Sequence, residues 1–467
     1  MNGANVYLFV LLISSLEYFI ISSPRTFVVK TPSGRVRGLV LRTVWNSVKY
    51  SSFKGIPYAK PPLGDLRFKP PIPNEPWKGV LNAFKEGNMC PQSNYVTSEF
   101  NGHEDCLYLN VYTREMIFKR KVRLRPVMVW LYGGGYMSGH CNASLYGPDF
   151  FMEEDVVLVT FNYRLSVLGF LALNHPNATG NAGLKDQQLA FQWVQSNIAA
   201  FGGDPEQVTI FGESAGSSSI GFHMLSERSR GLFRRSISMS GTPLCPWAYH
   251  TPEQMIQNAY KLAGFLNYVP KSRDDLLNYL RHAPAIKLIR AAEKVNLNIL
   301  PFRPTIENPD IDPTNSSFLT ECPITKYHNG DFYRHDIMLG YTRNEILLFL
   351  GRTAHFDDVG YIFNSNELRA PTNPRHRFNR FRKKMVKLWA NFAKYGDPTP
   401  ENHSRSHLDV NWTNSGHNGL QLDIDTVSTM HKRLIDAKTE NFERLYYKIL
   451  PLISSCVKKP IKLLNCV

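Results

Sequence analysis

Beyond its first two dozen residues the chain has no run of eighteen or more apolar residues, so no later segment reads as a stable transmembrane helix. It also lacks internal repeats, low-complexity tracts and long linkers, which excludes solenoid and multi-module architectures. No Cys/His spacing of metal-binding type occurs, and no metal or organic cofactor is expected. Acidic residues are scarce: 39 Asp and Glu stand against 54 Lys and Arg, a net charge of +15. Charge of that sign attracts nucleic acid or an anionic membrane, but no nucleic-acid motif accompanies the densest basic runs, 119–125 and 375–387. The second run has helical periodicity and is expected to present its charges on one solvated face. Nucleic acid is therefore not an expected partner.

What is present has globular proportions, 43% apolar and 20% charged in 467 residues. The apolar stretch 6–21 reads as the core of a secretory signal, giving a signal peptide over 1–23, one domain over 24–450 and a tail over 451–467. Sequons at Asn142, Asn177, Asn315, Asn402 and Asn411 suit an exported, extracellular glycoprotein. Seven cysteines leave at least one outside any intrachain pairing. Cys90 and Cys106 are the best-placed pair, and closing that loop removes unfolded-state entropy worth about 3 kcal/mol.

Between residues 127 and 240, β-branched apolar runs alternate with helical patterns. The runs 127–132, 156–161, 208–211 and 236–240 read as buried strands, and 336–340 as another. Leu189, Trp193, Val194 and Ile198 mark one face of a helix stopped by Gly202 and Gly203. Phe378, Phe381, Met385, Leu388, Trp389 and Phe392 mark a second docking helix before Gly396. Such alternation implies an α/β fold, a mainly parallel sheet covered on both faces.

The segment Val208-Thr-Ile-Phe-Gly-Glu-Ser214-Ala-Gly216 places Gly-x-Ser-x-Gly after a strand and before a helix-compatible run, the context in which this pattern presents a nucleophile. The sharp turn strains Ser214, while Gly212 and Gly216 let neighbouring backbone pass without a Cβ clash. A second glycine run, Gly133-Gly134-Gly135, also follows a strand. The backbone N–H groups of Gly134 and Gly135, with that of Ala215, are positioned to form an oxyanion hole.

With these motifs in place the chain resembles the type-B carboxylesterase and cholinesterase family, arthropod carboxylesterases included, from about Thr31 to Lys448. Further motifs carry the likeness: Phe53-Lys-Gly-Ile-Pro-Tyr-Ala59, Glu104-Asp-Cys-Leu-Tyr-Leu-Asn110, Phe161-Asn-Tyr-Arg-Leu165, Gly180-Asn-Ala-Gly-Leu-Lys-Asp-Gln187 and Phe201-Gly-Gly-Asp-Pro205. The resemblance implies an α/β-hydrolase fold, a Cys90–Cys106 disulfide, and a Ser–Glu–His triad in which the acid matches Glu345 and the base matches His355. It also implies hydrolysis of a small, apolar carboxylic ester through an acyl-enzyme on Ser214. Glu104 and Arg164 match positions expected to form a supporting ion pair.

The departures matter equally. The loop between Cys90 and Cys106 holds Tyr95 and Phe100 but no Trp, which argues against choline esters because no indole is present there to bind a quaternary ammonium. Glu213 stands where juvenile-hormone esterases carry Gln, and Phe265 and Tyr279 replace a second disulfide. Only nine residues, 346–354, separate Glu345 from His355, where the family has a long insertion that includes a sheet strand. Nine residues span at most about 30 Å, enough for both side chains to reach Ser214. The absent strand predicts a base on a short tether, an unpaired apolar sheet edge, and an enzyme that is catalytically impaired or only a binding protein.

Overall fold

The computed structural model describes residues 23–94, 97–118, 123–295, 300–348, 354–366, 370–401, 408, 410–416 and 419–432. The expected signal peptide, the tail, Tyr95 and Asn402 lie outside the described residues.

The frame is an eight-stranded sheet built from β1 (Leu39–Arg42), β2 (Lys49–Pro57), β3 (Tyr108–Thr113), β4 (Arg125–Leu131), β5 (Val157–Phe161), β6 (Gly203–Glu213), β7 (Arg235–Met239) and β8 (Asp336–Gly340). Its spatial order is β8-β7-β6-β4-β5-β3-β2-β1. The five strands from β8 to β5 run parallel, with Val127 beside both Val157 and Val208 and Arg235 beside Asp336. The remaining three pair antiparallel. Every residue of β5 and β7, and all of 127–131 and 208–213, is buried. Successive side chains on a strand point to opposite faces, so both faces of the parallel core are covered.

Three long helices fix the site and its support. They are α1 (Ala182–Asn197), α2 (Ala215–Leu225) and α6 (Arg377–Tyr395). Between α2 and α6 come α3 (Pro252–Phe265), α4 (Arg273–His282) and α5 (Ala285–Val295), which bury a second apolar cluster with Leu262, Leu276 and Leu288 at its centre. The helix after β5 continues as a 3-10 turn through Phe201 and stops at Gly202, whose φ of 81° is open to glycine at little cost.

The expected basic face of α6 is only partly solvated. Arg382 and Lys384 are buried. The Arg382 guanidinium lies 4.4 Å from the Phe150 ring and 4.8 Å from that of Phe378, and it donates to the Gly360 carbonyl at 2.8 Å. Two aromatic faces and a carbonyl replace water around this charge, an arrangement periodicity alone does not reveal. The Cys90–Cys106 disulfide is formed and buried. Cys141 and Cys245 are free thiols, whereas Cys322 is disulfide-bonded. Tyr279, one of the two residues standing in for the second bridge, stacks on Tyr268 with ring centroids 3.8 Å apart. Phe265 is left half exposed.

At the other side of the sheet, β8 is the edge strand among the described residues, with Leu339 59% and Tyr341 72% exposed. Beyond it β9 (Asn344–Leu348) and β10 (Ala354–His355) form their own small parallel pair. No described helix is long and apolar enough to cross a membrane.

Candidate active site

Strand β6 ends at Glu213, and α2 begins at Ala215. Ser214 is the hinge between them, at φ 55° and ψ −119°. A non-glycine residue held there stores about 1–3 kcal/mol of backbone strain, tolerated only because the surroundings enforce it. Ser214 N–H donates to the Met239 carbonyl at 2.8 Å, tying the turn to β7. A Cβ at Gly216 would lie 2.0 Å from the Leu131 carbonyl oxygen, so this close approach of α2 to β4 requires glycine.

The glycine run lies against this turn. A Cβ on Gly133 would sit 2.5 Å from Glu213 Oε2 and 3.0 Å from Ser214 Cβ. Gly134 and Gly135 follow at φ 97° and 61°, a left-handed bend that closes back on Ser138 through the Gly134 carbonyl. Ala215 is the first residue of α2, so its N–H has no partner within the helix and lies at the positive end of the helix dipole.

Glu345 and His355 meet. Nδ1 of His355 is 2.5 Å from Glu345 Oε2, and the other oxygen, Oε1, accepts from Ser240 Oγ (2.6 Å), Thr342 N (2.5 Å) and Thr342 Oγ1 (2.9 Å). Ser240 follows β7 and Thr342 follows β8, so the Glu345 carboxylate is clamped where two strands finish. The opposite ring nitrogen meets a second carboxylate. His355 Nε2 lies 3.0 Å from Glu213 Oε1, at an angle that makes an ion pair but not a hydrogen bond. Among the described residues none hydrogen-bonds Ser214 Oγ. Glu345 and His355 are joined; among the described residues no hydrogen bond links His355 to Ser214.

The charges explain this arrangement. Burial works to depress the imidazole, but the flanking carboxylates Glu213 and Glu345 outweigh it and raise His355 to about 10. Burial likewise raises Glu213 above the ordinary carboxylate range, partly offset by His355. For Glu345 burial is outweighed by its hydrogen bonds to His355, Ser240 and Thr342, and it is lowered. Asp358 completes the cluster. Burial, then the charges of Glu213 and Glu345, push its carboxyl up to about 7, and its Oδ1 has no hydrogen-bond partner among the described residues. Near neutral pH the ring carries a proton on both nitrogens and cannot take one from serine.

Ser240, Thr342 and Asp358 escaped the sequence reading, and Glu213 entered it only as a departure from one group of esterases. Asp358 offered a signal, standing three residues after His355; Ser240 and Thr342 offered none. The expected Glu104–Arg164 pair does not form. Arg67 takes Glu104, with Nε 2.7 Å from Oε2, and Arg164 takes the fully buried Asp186 at 2.7 Å. The reason is placement: Asp186, on α1, also accepts from the Arg164 backbone N–H at 3.0 Å. Of the described sequon residues, Asn315 and Asn411 are exposed, while Asn142 and Asn177 are partly buried and the Asn142 Oδ1 is enclosed.

A family model described as "Carboxylesterase family" matches residues 25–354 and again 350–442. The chain is 41% identical over 329 residues to a juvenile hormone esterase of Tribolium castaneum, covering 69% of this chain and 55% of that protein. It is 41% identical over 313 residues to a carboxylic ester hydrolase of Bombus ignitus, covering 65% and 54%. To a cholinesterase of Mus musculus it is 39% identical over 341 residues, covering 69% and 54%. The chain spans about half the length of these curated relatives.

Proposed function

The chain belongs to the carboxylesterase family and has its α/β-hydrolase fold, and from that premise we propose that it is built to cleave small, uncharged carboxylic esters through an acyl-enzyme on Ser214. The observation that carries this reading is the strained Ser214 at the β6–α2 turn with the glycine run packed against it. Attack of Ser214 Oγ on the ester carbonyl gives a tetrahedral oxyanion, which the N–H groups of Gly134, Gly135 and Ala215 would hold. The Ser214 proton passes to neutral His355, which returns it to the departing alcohol; water then attacks the acyl-enzyme by the same route. Glu345 keeps the imidazole tautomer and stabilises the imidazolium. The export reading rests on the apolar N-terminus and the sequons, and treatment with an N-glycosidase should shift the gel mobility of chain made in a secretory host.

A second reading has its own observation. His355 Nε2 is engaged by Glu213, and the family match breaks between 350 and 354, where the tether joining acid to base lies. In this reading the chain lacks the segment that delivers the histidine, through truncation or mis-splicing, and acylates poorly or only binds. A fluorophosphonate probe followed by peptide mass spectrometry tests both. Labelling of Ser214 with measurable ester turnover supports the hydrolase. No labelling of folded chain leaves only the binding reading, and Ser214→Ala should abolish both label and turnover while circular dichroism stays unchanged.

A further inference from the structure

Buried cations in this chain find compensation of an identifiable kind. Arg164 has Asp186 at 2.7 Å, Lys185 has Glu307 at 2.5 Å, and Arg382 has its two rings. Arg303 differs. It is 4% exposed, yet among the described residues it has neither a carboxylate nor an aromatic face in contact. Its Nη1 lies 3.4 Å from the Pro246 carbonyl, its Nη2 2.9 Å from His250 Nδ1, and its buried Nε has no acceptor.

The histidine contact is weaker than its length suggests. His250 Nδ1 also lies 2.9 Å from Gln254 Oε1, an oxygen fixed as an acceptor because it takes the Thr251 N–H at 3.0 Å. A nitrogen that donates to Gln254 has no lone pair left for Arg303. Burial, followed by the charge of Arg303, lowers His250 to about 4, so it stays neutral and supplies no negative charge. The guanidinium, with five N–H donors, is left with one long carbonyl contact and a neutral imidazole nitrogen shared with Gln254, and with no counter-charge among the described residues. A desolvated cation without a counter-charge is among the costliest groups to bury.

Its surroundings set the location. Tyr136, immediately after Gly135, couples electrostatically to the guanidinium and is itself fully buried. Pro246 and His250 follow Gly241, whose Cβ position would lie 2.2 Å from the Ser214 carbonyl oxygen. Arg303 thus sits behind both the glycine run and the loop that braces Ser214.

We propose that Arg303 is an anion-binding site, taking one small monovalent anion, a halide or a short-chain carboxylate, beside the Tyr136 hydroxyl. The site is separate from the ester-hydrolase reading, because occupancy needs no reaction at Ser214. A halide would be a structural counter-ion; a short carboxylate has the chemistry of an acid released from an ester.

The full-length chain, exchanged into methanesulfonate buffer, is titrated separately with chloride and with acetate at constant ionic strength while its Tm is followed. The expected result is a saturable rise of about 2–4 °C at high occupancy. Saturation by chloride alone identifies the halide, and saturation by acetate alone the carboxylate. Arg303→Met, which fills a similar volume, should fold and lose the response. Arg303→Lys keeps the charge without the planar fork and should bind about tenfold more weakly. Failure of both anions to saturate overturns the proposal, as does an identical response in Arg303→Met or, if that variant does not fold, wild-type affinity in Arg303→Lys.

Discussion

His355 Nε2 and Glu213 Oε1 stand 3.0 Å apart on the side of the imidazole that a general base turns toward its serine. With Glu345 2.5 Å from the other nitrogen, one ring is held between two carboxylates. That geometry favours imidazolium, which orients well but accepts no proton.

Replacing Glu213 with Gln removes one of those two charges and leaves the shape nearly intact. The His355 titration midpoint should fall from about 10 toward 6.5 by at least one unit, followed by NMR of its Cε1 proton. Turnover of a neutral aryl ester at pH 7 should rise by about tenfold if loss of the proton is what limits it. An unmoved midpoint would refute the Glu213 contact as the cause.

The same raised midpoint sets two opposite pH trends. Any Ser214 acylation needs neutral His355, so its rate should climb from pH 7 and level off near 10. Stability runs the other way. The folded value lies above the unfolded one of about 6.5, so the stabilisation is complete below 6.5 and is lost as pH rises through 10. Stopped-flow acylation and thermal melts over pH 6–10 measure both, and His355→Gln should flatten the corresponding part of the melting curve.

Asp358 carries the opposite sign. An acid whose folded value is raised to about 7 is destabilised by ionisation, a cost that grows as pH rises from about 4 to 7 and is then constant. Asp358→Asn removes it. The variant should match the parent near pH 4 and melt several degrees higher at pH 8; equal melting at pH 8 would mean that the carboxyl is compensated.

Leu339, 59% exposed on β8, the edge strand among the described residues, predicts self-association through that edge. Leu339→Lys should change stability by no more than about 0.5 kcal/mol and lower light scattering on concentration or mild heating. Unchanged scattering would assign aggregation to another surface.

Much of the fold was legible because its signals are local. The five core strands fall where β-branched runs put them, 336–340 to the residue, and the end of α6 falls at Gly396. The strained serine turn was equally readable, since Gly212, Gly216, Gly133 and Gly134 are demanded by close approach of neighbouring atoms, and only glycine meets that demand. A residue type that is sterically obligatory leaves its mark in the sequence.

Charged partners leave no such mark. Any carboxylate can pair with any cation, and the choice falls to whichever side chains the chain crossings bring together. Arg67 takes Glu104 across 37 positions, and His355, on the separate β9–β10 pair, reaches Glu213 at the end of β6. Helical periodicity put Arg382 on a solvated face, but the rings that enclose it come in part from Phe150, more than two hundred residues away. The sequence by itself determined the family's sheet and the glycine-flanked serine turn, whereas Glu345 and His355 were singled out only by the family resemblance. Only the tertiary structure decided that His355 stands between two carboxylates, with Nε2 on Glu213, because the sum of burial and charge at one nitrogen is a property of the assembled neighbourhood.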